Sequence, residues 1–191
     1  MSIETRMLAY VFWHWPRADV AAAAYEAVQR RFHAALRDTP PDGFLGSRSL
    51  AVAGAPWISG AEDGAYEDWY FLEGSAALDQ LNAAAVSAAR RGPHDAAAAA
   101  AEGGTAGLYL LRQGRVGDPP LAAIWFAKPR GMSYAALFAT LEPLVSSEGA
   151  ALWGRQMTLG PTPEFCLHTH RPVELPASFF PRTVRCRPVW P

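Results

Sequence analysis

Two stretches of the chain share one outline. YVFWHWPR at 10–17 and IWFAKPR at 124–130 each run through apolar and aromatic residues to a polar position and then Pro-Arg. Both lead into the same succession of segments: a helical periodicity, a run that reads as a strand with a glycine near its start or middle (Gly46, Gly154), and then an acidic residue leading an apolar run, DWYFLE at 68–73 and EFCLHT at 164–169. A repeat on this scale restricts the fold to one supersecondary unit built twice.

The first copy predicts strand 8–15, a helix opened by Asp19 with Val20, Ala24, Val28, Phe32 and Leu36 on one stripe, strand 44–54, and strand 66–73 after the Gly60 to Gly64 loop. A helix capped by Ser75 is expected to run to Gly92-Pro93, followed by an alanine-rich helix from Asp95 to Gly103-Gly104 and strand 107–113. Strand, helix, strand, strand, helix, strand is the split βαβ, or ferredoxin-like, unit. The second copy gives a strand over LAAIWFAKP, a helix capped by Ser133, strands at 151–160, 164–169 and 183–190, and only the turn ELPASFF in place of the second helix. The expected fold class is therefore α+β, with two tandem ferredoxin-like units (βαββαβ, the second copy trimmed) at 1–117 and 118–191, divided in the linker GRVGDPP. Antiparallel sheets with apolar faces cannot both face water, so they should pack together as one α+β barrel with helices outside.

Composition narrows the function. Seventeen basic and eighteen acidic residues leave no excess charge to grip a phosphate backbone, so nucleic acid is not an expected partner. The apolar run Met7 to Trp13 is broken by His14 and Pro16, which argues against a signal peptide or membrane span and for a cytoplasmic protein. Cys166 and Cys186 lack metal-ligand spacing and read as packed thiols. No dinucleotide, P-loop, nucleophile-elbow or zinc-protease motif occurs, so those readings lose their cheapest support and no cofactor is expected.

In a ferredoxin-like sheet the end of the first strand lies beside the start of the third. That edge gathers His14, Trp15 and Arg17 with Tyr66, Glu67 and Asp68; Trp57 from the end of the second strand and Arg90, Arg91 and His94 from the end of the second helix join them. His14 is the candidate base, with Asp68 or Glu67 fixing its tautomer. Only one of these neighbours can face the same side as His14. The arginines are candidates to hold an acidic oxygen and the tryptophans a flat apolar body. Against this, Trp13, Trp57, Trp69, Trp125 and Trp153 read as core, and Arg48 and Arg155 as inward anion anchors or exposed edge charges. His168 and His170 share a strand face but lack a third metal ligand.

The element order and the repeat resemble the dimeric α+β barrel superfamily, in a version with both halves fused in one chain. The resemblance implies a ligand inside the barrel, because members include cofactor-independent monooxygenases of polyketide-like aromatics, lactone isomerases and haem enzymes. The leading expectation is a barrel binding a small apolar or aromatic acidic molecule and acting on it by proton transfer or oxygenation. The alternatives are a non-catalytic binding protein, and noncovalent haem held by His168, His170 or His14. The assembly is expected to be a monomer or a homodimer.

Overall fold

The computed structural model describes residues 7–61, 64–146, 150–158 and 162–191. Among them are strands β1 (Leu8–Pro16), β2 (Phe44–Val52), β3 (Ala65–Leu72), β4 (Ala101–Gly114), β5 (Ala122–Phe126), β6 (Ala151–Thr158), β7 (Phe165–Thr169) and β8 (Arg182–Trp190). The helices are α1 (Ala22–Asp38), α2 (Ala76–Ala85), α3 (Arg91–Ala100) and α4 (Tyr134–Val145), with a single 3-10 turn, Ala177–Phe179, where a fifth would stand. Residues 62–63 of the expected loop and 159–160 of the expected sixth strand lie outside the described residues. No helix of the described residues is long and apolar enough to cross a membrane.

The strands close into one antiparallel barrel in the order β1-β3-β2-β8-β5-β7-β6-β4. Within it β2-β3-β1-β4 and β6-β7-β5-β8 repeat the same neighbour pattern, and the pairs β2–β8 and β4–β6 are the seams. Every one of these strands is therefore paired on both sides, which removes the sheet edges.

Alternation along the strands sorts the side chains into two environments. Ala9, Val11 and Trp13 of β1, Trp69 and Phe71 of β3, Trp125 of β5, Trp153 of β6 and Cys166 of β7 form one cluster with members from all eight strands, so it fills the lumen. The opposite faces pack under helices. Leu8, Tyr70, Leu72 and Leu110 meet Phe32 and Leu36 of α1, Leu81 of α2 and Ala97 of α3, while Ile124, Phe126, Phe165 and Leu167 meet Leu137, Leu141 and Val145 of α4. Each large apolar side chain so buried contributes roughly 1.5–3 kcal/mol.

Three expectations are corrected. The buried stripe of α1 is Tyr25, Glu26, Gln29, Phe32, His33 and Leu36 rather than the one begun at Val20, and Asp19 does not cap it. Gly92-Pro93 lies in the first turn of α3 instead of ending α2, because a proline there gives up an N–H that the helix leaves unbonded anyway. β4 begins at Ala101, through Gly103 and Gly104, where a side chain would collide with rings of β1: a Cβ on Gly103 would sit 2.5 Å from Trp15 Cζ2. These glycines let a strand pass the aromatics rather than stop a helix.

Candidate functional site

The pleat of β1 turns Trp13 and Trp15 toward the lumen and Phe12 and His14 outward, beneath α1. On β3 the same alternation sends Glu67 in and Tyr66, Asp68 and Tyr70 out, and the sheet register sets His14 opposite Tyr66 and Phe12 opposite Asp68. Helix α1 then lays Tyr25, Gln29 and His33 over them. The result is a fully buried polar cluster, with His14 1%, His33 0% and Asp68 1% exposed.

Asp68 is its centre. Its Oδ2 lies 3.2 Å from His14 Nε2 and 3.1 Å from His33 Nε2, both off the straight line of a hydrogen bond, and accepts from the Tyr70 hydroxyl at 3.0 Å. Its Oδ1 has no hydrogen-bond partner among the described residues. Burial alone would push this carboxyl up, but the electrostatic pull of His33 and His14 outweighs it and holds Asp68 well below the usual carboxylate range. An ionised Asp68 favours the Nε2–H form of each neutral ring. In a neutral ring Nδ1 then accepts, at His14 from the Tyr25 hydroxyl 2.6 Å away and at His33 from the Ser47 hydroxyl 2.7 Å away, whereas a protonated ring donates from the same atom. Burial, then the Asp68 charge, raise the Tyr25 and Tyr70 hydroxyls, so both stay protonated donors.

Beside this cluster, between the outer face of β1, β3 and β4 and helices α1–α3, is a cavity of about 430 Å³. His14, Tyr25 and Gln29 supply its polar wall, and Phe12, Phe32 and Tyr70 most of its aromatic one. Alanines of α2 and α3 complete it. Among the described residues no lysine or arginine lines it, and its lining carboxylate is the exposed Glu102.

The structure thus brings together His14, Asp68, Tyr66 and His94. Tyr66 stacks on His14, with ring centroids 5.6 Å apart, and His94 meets the cavity edge-on to Phe32. The arginines do not join them. Arg17 pairs with Asp19 at 2.8 Å in solvent, Arg90 ties the α2–α3 turn to the Thr39 carbonyl, and Arg91 is exposed at the start of α3. The reason is that topology fixes which end of the sheet a residue occupies, while a long side chain takes the nearest acceptor. Trp15 and Trp57 pack against the lumen cluster. Arg48 is turned inward, bonded to the Gly117 carbonyl and pushed down to about 10 by burial, whereas Arg155 is exposed.

Glu67 also lies on the far side of the sheet from His14. It is 0% exposed in the lumen, accepts from Trp13 Nε1 at 3.0 Å and Trp69 Nε1 at 3.3 Å, and is raised to about 7 by burial, which those hydrogen bonds only partly offset.

Two of the three histidines offered for haem are already packed or engaged within the protein. His168 is 3% exposed with its ring 4.3 Å from Trp69 inside the packed lumen, and the two nitrogens of His14 face Asp68 and Tyr25. No group of three or more metal-ligating side chains occurs among the described residues.

Sequence reasoning missed His33, Tyr25 and Gln29, and placed Phe32 only on the apolar stripe of the helix. Their signal was present in α1, where an aromatic, a glutamine and a histidine recur at positions 25, 29 and 33 in step with the buried Leu36, a polar thread through an apolar stripe.

No family model matches the chain, and no curated protein matches it. Among solved structures it is similar to a candidate monooxygenase from Fusobacterium nucleatum subsp. nucleatum ATCC 25586, with a TM-score of 0.66 at 10% identity over 98% of this chain and 94% of that one. A candidate monooxygenase from Lactobacillus acidophilus NCFM gives 0.50 at 10% identity over 85% and 76%. A chlorite dismutase from Candidatus Nitrospira defluvii, in complex with imidazole, gives 0.46 at 10% identity over 86% and 77%. Identity this low carries the fold alone. The chain has the dimeric α+β barrel fold, with two ferredoxin-like halves closing one barrel.

Proposed function

We propose that the protein takes a small, largely apolar or aromatic molecule into the cavity between the first sheet face and α1–α3, and moves a proton from it. The carrying observation is that His14 stands on the wall of that cavity with its ring held from behind by a buried carboxylate. The ligand enters in its neutral form, since no described arginine or lysine lines the wall and Asp68 lies just behind it. A phenol or enol O–H gives its proton to the Tyr25 oxygen as the Tyr25 proton passes to His14 Nδ1, and Asp68 stabilises the imidazolium. Oxygenation of the resulting anion is the further step suggested by the two candidate monooxygenases of the same fold.

A thermal-shift screen of neutral naphthols, quinols and 1,3-diketones against the matching aromatic carboxylates tests this reading. Neutral compounds should raise Tm by mass action and carboxylates should not, with the response lost in His14→Gln. Hits confined to carboxylates, or indifferent to His14, would sink it. A purely binding role is favoured by the engagement of both His14 nitrogens within the protein, and it predicts that a bound naphthol leaves unchanged even though it stabilises the fold.

A further inference from the structure

The geometry points to Asp68 as the shared seat of a single proton that rests on His14 or on His33, so that a proton reaching His14 from the cavity sends one out from His33 past Ser47. The inference rests on the proton-transfer reading of the cavity and extends it to the side of the cluster that no ligand touches.

Both rings compete for one acceptor atom. His14 Nε2 and His33 Nε2 approach the same Asp68 oxygen at 3.2 and 3.1 Å, each off the ideal line, while the other oxygen takes neither. Among the described residues no other carboxylate comes within ion-pair distance of either ring. With both rings neutral the buried cluster carries one uncompensated negative charge, and with both protonated it carries one positive charge. Only a single imidazolium leaves it neutral, and burial makes either alternative expensive.

The two ends of the cluster open in different directions. Tyr25, which donates to His14, lines the cavity. His33 and Ser47 do not line it, and Ser47 is half-buried on β2, on the other side of α1's contact with the sheet. His33 is otherwise enclosed by Tyr70 and Trp190, stacked at 5.4 and 6.1 Å. Proton balance is kept throughout: the ligand loses one proton, His14 gains one through Tyr25, His33 loses its Nδ1 proton toward Ser47 and water, and Asp68 stays ionised.

The other titratable or charged groups around the cluster are Tyr10 on β1, Tyr66 and Tyr70 on β3, and Tyr25 on α1. Beyond them lie His94 and Glu102 across the cavity, Glu26 with Arg30 and Arg187 behind Tyr66, and Arg37 over Trp190. None of them is an alternative counter-ion in contact with the rings.

Imidazole nitrogen NMR of the ligand-free protein, from about pH 6 to pH 8, tests this independently of any ligand. The imidazolium occupancies of His14 and His33 should sum to one across the range. His33→Gln should raise the occupancy of His14 and His14→Gln that of His33, while Asp68→Asn should leave both neutral. Two simultaneous imidazoliums, none, or a His14 signal indifferent to His33→Gln would overturn the proposal. Should either glutamine variant fail to fold, the wild-type sum decides alone. A failed ligand screen with an occupancy of one would count against the cavity reading, and a failed sum with a working screen against the shared proton.

Discussion

The two halves of the barrel have the same strand order and opposite contents. Matching the pairs β1–β3 and β5–β7 at Trp13 and Trp125, which both face the lumen, sets Phe126 where the first half has His14, Phe165 where it has Tyr66, Cys166 where it has Glu67 and Leu167 where it has Asp68. Over the second sheet α4 brings Leu137, Leu141 and Val145, and nothing polar is needed beneath them. Over the first, α1 brings Tyr25, Gln29 and His33, and α2 and α3 stand off far enough to leave a cavity. The difference teaches that the fold itself asks for no polar group under the helices. The dry half shows that this strand order packs without such groups, so the topology alone does not demand the polar cluster of the first half.

The hardest way to break the comparison is to put the first half's carboxylate in the second. Leu167→Asp buries a charge with no counter-ion among phenylalanines and leucines, and urea unfolding should report a loss of about 4–5 kcal/mol. The reverse change, Asp68→Leu, strands two imidazoles and should cost about 3 kcal/mol. Copying the dry half more fully, with His14→Phe, Asp68→Leu and His33→Leu together, should recover stability to within about 1 kcal/mol of wild type, because apolar residues of similar size replace a buried ionic network at little net cost. A triple variant as unstable as Asp68→Leu alone would mean that the network holds the fold after all.

A smaller effect separates the two lumen residues, Glu67 and Cys166. A carboxyl whose folded value lies above its unfolded one binds more protons when folded, so the Glu67 contribution is favourable below about 4.5 and is lost as pH rises to about 7. Asp68 has the opposite sign: its contribution is present above the ordinary carboxylate range and is lost only in stronger acid. Glu67→Gln should therefore raise Tm more at pH 8 than at pH 5, and an equal rise at both would refute the assignment. The smallest effect on stability sharpens the comparison most. Ala98→Phe at the exposed rim of the cavity should change stability by less than about 0.5 kcal/mol yet abolish any ligand-induced rise in Tm.

Much of this was legible in the sequence. The repeat gave the tandem topology, and strand neighbours gave the meeting of His14 with Asp68 or Glu67, between which the pleat of the folded sheet chooses Asp68. The face of β1 was not, because a strand whose residues are aromatic or apolar on both sides offers no alternation from which to choose inside from outside. The shared Pro-Arg signal even misleads by one position: aligning Pro16 with Pro129 sets Trp13 against Phe126, whereas the pleat pairs it with Trp125. The arginines failed for another reason, since lying at the same end of a sheet does not mean lying on the same side of it. His33 was hidden because its partner is a strand residue remote in sequence, and helix periodicity says only that the position is covered.

One seam of the barrel has a consequence for the order in which the molecule can be completed. β2 finds its second neighbour in β8, the last of the eight strands to be synthesised, and Trp190 of that strand is the lid over His33. The first half can therefore form its own sheet and helices early in synthesis and still present an unzipped strand and an uncovered imidazole until β8 arrives. Completion of the buried His14–Asp68–His33 cluster is thereby timed to the closing of the second half, and a product truncated before β8 would carry those side chains without that cover.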